Sequence, residues 1–187
     1  NSFLKFFKLK YFLILFSISI SMAQQTETQL YDVIEKYDNI EIRYYPPAAK
    51  VMSRGKIGEN TNFRNLFNYI SGSNSKNQKI SMTTPVHTKI DNGNQIMEFV
   101  LPKNFNDKEI PKPVNDNLKV YKSAEGKYAS IRYSGYNNNE KQIFFTKKLT
   151  DKIKELKKVV AGDPVFLSYD APYKFYNRRN EIIVEIE

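Results

Sequence analysis

The sequence predicts an α+β fold built from duplicated strand–helix–strand–strand units. Three observations carry this. Segments of alternating apolar and polar residues are bounded by Asn, Gly and Pro. Two segments have helical spacing, around Phe63 to Ile70 and Phe145 to Val160. Each helical segment stands between strand signals, so the pattern occurs twice, over about residues 31–102 and 116–187.

The elements follow in order. Tyr31 to Lys36 and Ile40 to Tyr45 read as strands about an Asp38-Asn39 turn, and Pro46-Pro47 precedes a third strand from Ala48 to Lys56. Asn60-Thr61 can cap a helix whose apolar positions are Phe63, Leu66, Phe67 and Ile70, with Gly72 as its stop. Lys79 to Ile90 is expected to be extended, with Ile80, Met82, Thr84, Val86, Thr88 and Ile90 on one face. Asp91-Asn92-Gly93-Asn94 is a hairpin signal, because Asn-Gly accepts the positive φ angles of a type I′ turn, and Gln95 to Leu101 returns.

A Pro- and Asn-rich connector, Pro102 to Asn117, leads into the second half. Leu118 to Lys122 and Lys127 to Tyr133 are strands about a Glu125-Gly126 turn. Asn139 to Val160 is a long amphipathic helix with Phe145, Leu149, Leu156 and Val160 on its apolar side. Ala161-Gly162-Asp163-Pro164 ends it, and Val165 to Tyr169 and Glu181 to Ile186 are the last strands. Two such units are expected to meet about a pseudo-twofold axis with the helices outside, and the cleft where they meet is the natural ligand site.

The first 23 residues read as a signal peptide. Lys5, Lys8 and Lys10 precede the apolar run Tyr11 to Ile20, and Ser21-Met22-Ala23 places small residues before a cut. The run is shorter than the roughly 20 residues that cross a bilayer. A domain over residues 24–187, exported to the periplasm or secreted, is expected. So is the absence of stable membrane insertion after cleavage. Without the three leader lysines the 29 basic residues become 26 against 20 acidic ones, a net charge of +6.

There is no cysteine, which excludes disulfides, zinc–thiolate sites, iron–sulfur clusters and Cys nucleophiles. With one histidine, a Ser–His site has almost no material. No phosphate-cradling glycine loop stands out. The cluster of Lys147, Lys148, Lys152, Lys154, Lys157 and Lys158 is interleaved with Asp151 and Glu155, as on a solvated helix face. A nucleic-acid partner is not expected, and a monomer is.

Five segments, in order, carry a family resemblance. Tyr31 to Tyr37 is followed by Ile40 to Ala48, and Phe63 to Asn74 comes next. Gln78-Lys79-Ile80-Ser81-Met82-Thr83-Thr84-Pro85-Val86 looks like a K-I-x-M-T-x-P-V block, and Tyr133-Ser134-Gly135-Tyr136 like an F-G-G-Y turn. Tyr169-Asp170-Ala171-Pro172 with Asn177 to Ile182 looks like Y-D-x-P…R-R-N-E. Together they resemble the SOUL haem-binding protein family.

The resemblance implies a twisted, barrel-like sheet of about eight strands flanked by two helices. It implies a non-catalytic protein that holds haem or another tetrapyrrole in an apolar groove beside the first helix. Positions carried over to that groove are Phe63, Phe67 and Asn60. Haem-binding relatives can have Met at the two Phe positions and Arg at the Asn position. Phe can stack on a porphyrin, and Arg64 is the nearby substitute for a propionate partner.

Met82 is a further candidate for the groove or for iron, and His87 a weak one for iron, since Met, His and Tyr are the available ligand types. On its strand His87 is expected to face away from Val86, as a surface residue. Arg178, Arg179 and Glu181 are expected to close the sheet through ion pairs rather than to catalyse. The alternative is a small-molecule-binding or hydrolytic domain of the gyrase-inhibitor-like type, using Glu98 or Glu181 as a pocket carboxylate with a raised pKa.

Overall fold

The computed structural model describes residues 26–187. The expected signal peptide, residues 1–23, lies outside the described residues. Among the described residues no helix is long and apolar enough to cross a membrane.

Among the described residues, eleven strands and two α-helices occur. Strands β1 (Glu27–Thr28), β2 (Asp32–Tyr37), β3 (Ile40–Tyr45) and β4 (Ala49–Lys56) precede helix α1 (Thr61–Ile70). Then come β5 (Thr83–Thr84), β6 (Val86–Asp91), β7 (Asn94–Val100), β8 (Leu118–Lys122) and β9 (Gly126–Tyr133). Helix α2 (Asn139–Glu155) and strands β10 (Val165–Ser168) and β11 (Asn180–Glu185) complete the chain. Nine strands form one sheet in the order β2-β3-β9-β11-β10-β6-β7-β4-β8, while β1 and β5 pair in parallel beside it.

The order of the large sheet carries the duplication. β9, α2, β10 and β11 correspond to β4, α1, β6 and β7, and the two units meet at the β10–β6 pair. The preceding strand of each unit is exchanged: β3 lies beside β9, and β8 beside β4. The sheet has free edges at β2 and β8, so it is an open twisted sheet and not a closed barrel. β8 and β9, consecutive in sequence, therefore form no hairpin; they lie in opposite halves of the sheet.

Both helices cover the same sheet face. Leu149 and Ile153 of α2 pack on Ile40, Ile42, Ala129, Ile131, Ile182 and Val184. Leu66, Tyr69 and Ile70 of α1 pack on Ala49, Val51, Phe99 and Leu118. Burying a Leu or Ile side chain stabilises by roughly 1.5–3 kcal/mol, so each cluster consolidates its own half. The opposite, helix-free face carries the charged and tyrosine side chains.

Local chemistry explains the turns. Asn92 and Gly93 have φ of 48° and 74°, the two positive values a type I′ hairpin needs. The Asn138 side chain accepts from the Lys141 N–H at 2.9 Å and caps α2. Helix α2 ends at Glu155 and not at Val160: Lys157 has φ of 56°, and Val160 bridges to Ile186. The expected strand from Lys79 to Ile90 is broken. Residues 79–82 are not strand, β5 joins β1, and Pro85, which has no N–H to give a ladder, separates β5 from β6.

Candidate functional site

The sequence-derived residues fall in three places. Asn60 is the N-cap of α1, although its side chain makes no capping bond. Phe63, Arg64 and Phe67 lie on exposed positions of α1. Phe63 and Phe67 are 43% and 49% exposed, and their rings lie near-parallel, 12° apart in plane and 6.1 Å between centroids. One edge of this pair is fixed, because Phe63 meets the buried Phe99 edge-on at 5.4 Å. Leu66 and Tyr69 turn inward from the same helix, so a one-turn spacing leaves the two Phe rings side by side at its flank.

Met82 belongs elsewhere. The Ile80 N–H donates to the Ile70 carbonyl at 2.8 Å, which docks residues 79–82 at the C-terminal end of α1. Met82 packs on the α1 core and lines a cavity of about 660 Å³ with Ile80 and Phe105.

His87 faces away from Val86, but it is only 3% exposed, against the expectation of a surface residue. The register explains this. Opposed residues share a sheet face, so Met52, Glu98, His87, Leu167, Glu181 and Arg132 form one row across β4, β7, β6, β10, β11 and β9. The next row, Val51, Phe99 and Val86, faces α1. The polar face of the strand is an interior of its own.

On that face His87 is enclosed by a network. Its Nδ1 lies 3.4 Å from Lys50 Nζ and its Nε2 2.8 Å from Gln29 Oε1. Burial, with the charges of Lys50 and Lys89, pushes its pKa well below 6.5. A neutral ring accepting at Nδ1 and donating from Nε2 fits both partners. Neither nitrogen is turned out to receive iron. Lys50 also donates to Glu98 at 3.1 Å, and the Tyr121 hydroxyl donates to Glu98 at 2.6 Å. These groups border a cavity of about 150 Å³ with Tyr45 and Tyr128.

The other half of this face holds Glu181, which is wholly buried. Arg43 donates to it through Nη1 at 2.6 Å and Nη2 at 3.2 Å. Arg179 donates from Nε and Nη2 at 3.0 and 2.8 Å, and the Tyr169 hydroxyl at 3.0 Å. Burial pushes the carboxyl pKa up, but the hydrogen bonds and charges of Arg43 and Arg179 outweigh it and hold it below 4.5. A raised pKa, as a general acid needs, is therefore not found at Glu181. Tyr45 is pushed up to about 12, chiefly by burial. Arg178, Arg179 and Glu181 hold β11 to the loop before it: the Arg179 N–H donates to Asp170 at 2.6 Å, and Arg178 binds the Ala171 and Lys174 carbonyls.

Sequence reading passed over Arg43, Lys50 and Tyr121. The available signal was charge at alternate positions of an otherwise apolar strand, as in Ile40-Glu41-Ile42-Arg43. Such a strand needs a polar interior on one side if both neighbours are paired.

Comparison with known proteins agrees with this architecture. Among solved structures, a hydrolase from Listeria innocua superposes with a TM-score of 0.57 at 10% identity, covering 82% of this chain and 94% of that one. The C-terminal domain of EcmrR gives 0.53 at 12% identity, covering 84% and 98%. At these identities the likeness is one of fold. In sequence, the chain is 26% identical over 155 residues to human Heme-binding protein 2, covering 76% of this chain and 75% of that protein. It is 24% identical over 165 residues to the mouse Heme-binding protein 2, covering 81% and 80%. The family model described as SOUL heme-binding protein matches residues 26–185, from before the first strand to the end of the last. A match of that extent covers both duplicated units and the strand exchange between them, and the chain belongs to the SOUL heme-binding protein family.

Proposed function

We propose that the protein is an exported, non-catalytic binder of haem or another tetrapyrrole, holding the macrocycle against the Phe63–Phe67 flank of α1. The observation that carries this is the exposed, near-parallel Phe pair in a chain of this family. Two large rings left half in water on a helix that buries Leu66 and Tyr69 form an exposed apolar surface. A flat macrocycle can stack on such rings. Arg64, exposed on the neighbouring position, is a cation for a propionate, whereas Asn60 supplies only a neutral amide. His87 is enclosed, so the reading needs no histidine ligand; the macrocycle is held by apolar contact and charge. Export is supported by the Lys5, Lys8, Lys10, apolar-run and Ser21-Met22-Ala23 order. No nucleic acid or second copy of the chain is required.

Hemin titration tests the reading. A saturable Soret shift with the parent chain, weakened by about tenfold or more in the F63A/F67A double variant, is expected from the loss of two stacking rings. No saturable shift, or the same shift in the double variant, overturns it.

A second reading, a small-molecule cleft with a pocket carboxylate, is favoured by one observation: Glu98 is buried beside Lys50, His87 and Tyr121 at the edge of a cavity. Under it, E98Q abolishes ligand binding or turnover and F63A/F67A leaves both unchanged.

A further inference from the structure

The helix-free face holds a second opening, of about 490 Å³, between β2, β3, β9 and the β10–β11 loop. Its wall carries five cations, Lys36, Arg43, Arg132, Arg178 and Arg179, against three carboxylates, Asp38, Glu41 and Glu181. Two of the carboxylates are already engaged. Glu181 lies between Arg43 and Arg179, and Glu41 is 2.8 Å from Arg43.

With Asp38 counted as the third carboxylate, five cations against three leave a net charge of +2 on the wall. Among the described residues neither Arg132 nor Arg178 forms an ion pair, although Asp170 lies near enough to feel the charge of Arg178. Arg132 is exposed. Arg178 is only 8% exposed, and its side chain is oriented by one nitrogen alone. Nη1 donates to the carbonyls of Ala171, Pro172 and Lys174 at 2.8, 3.3 and 2.6 Å. The guanidinium lies 4.9 Å from the centre of the Tyr136 ring, and its buried Nε has no acceptor. A buried cation is expensive unless it is paired, and carbonyl oxygens and one ring face supply only partial negative charge.

We propose that this opening is a binding site for a small dianion carrying carboxylate or phosphate groups, with Arg132 and Arg178 as its recognition residues. The net charge of +2 on the wall matches a ligand of charge −2. The planar guanidinium fork donates to two oxygens of one group, which favours carboxylate and phosphate over halide. The polar wall and the volume fit a compact organic acid or phosphoester. The site lies on the face opposite α1, so it stands independently of the tetrapyrrole reading.

The test uses the whole chain labelled with 15N, titrated at fixed ionic strength with inorganic phosphate and, separately, with succinate. The Arg178 Nε–Hε resonance is expected to shift saturably with at least one of them. Phosphate alone identifies a phosphoryl ligand, succinate alone a carboxylate ligand, and both a general dianion site. The exposed Arg132→Gln variant, which keeps the loop intact, is expected to weaken binding about tenfold through loss of a charge-assisted contact, with hemin titration unchanged. No saturable shift with either probe overturns the proposal. So does a shift reproduced by sodium chloride, or an R132Q affinity within twofold of the parent.

Discussion

Arg43 and Glu181 stand 138 residues apart in sequence and form a two-pronged ion pair, with Nη1–Oε2 at 2.6 Å and Nη2–Oε1 at 3.2 Å. Both side chains are almost fully buried, Arg43 at 4% and Glu181 at 0%. The pair links β3 to β11 across β9, with the Tyr31 ring 4.1 Å over Arg43.

Removing one partner strands the other. Glu181→Gln leaves Arg43 and Arg179 without their shared anion, and a loss of about 3–5 kcal/mol in unfolding free energy is expected. Urea denaturation measures it. A loss below 1 kcal/mol would show that the pair is solvated in solution. The same group predicts acid sensitivity. Its folded pKa is below the unfolded 4.5, so its contribution is complete above that value and is lost as pH falls through the folded pKa.

His87 gives a separate pH dependence at higher pH. Its folded pKa lies well below the unfolded 6.5, so the unfolded chain takes up a proton that the folded chain refuses. Stability is then full above about pH 6.5 and falls as pH drops below it. His87→Gln should flatten the slope of the urea midpoint between about pH 5 and 6.5 while leaving the lower-pH loss due to Glu181 in place. An unchanged slope in H87Q would place the origin elsewhere.

Leu66 of α1 and Leu149 of α2 are both wholly buried, each in the core of its own half. Leu66→Ala and Leu149→Ala should each cost about 2–5 kcal/mol, as large-to-small core changes do. The residues share no core cluster, so their effects should add within about 0.5 kcal/mol in the double variant. Chemical denaturation followed by circular dichroism reads all three.

Gly55 has a packing reason rather than a turn. A Cβ there would come within 2.8 Å of Asn62 Oδ1. Asn62 is buried, accepts from Ser53 Oγ at 2.8 Å and donates to the Gln95 carbonyl at 3.1 Å, which ties α1 to β4 and β7. Gly55→Ala must displace that amide, and a loss of about 1–3 kcal/mol is expected from unpaired buried polar groups. Gly58→Ala, at a site with open space but φ of +85°, is the comparison: about 1 kcal/mol, from backbone strain alone.

Much of the fold was readable because its signals are local. The Asn92-Gly93 turn, the start of α1 at Thr61 and the alternation of Ile40 and Ile42 are set by the φ preferences and side-chain periods of adjacent residues. The family motifs likewise lie in the sequence as written, and with them the α+β class and the duplicated pattern. The Phe63 and Phe67 positions could be named without coordinates, but their near-parallel stacking and half-exposure could not.

Tertiary structure alone decided which neighbours each strand has. Nothing between Leu118 and Tyr133 tells β8 to join β4 and β9 to join β3, because pairing is chosen by complementary faces more than 60 residues away. The interior character of the polar face follows from the same choice. His87 alternates away from Val86 whether it is buried or not. Only the β6–β7 and β6–β10 pairings, with Lys50 and Gln29 closing over the ring, take it out of water. Periodicity assigns a side chain to a face of its strand, and long-range packing determines what that face meets.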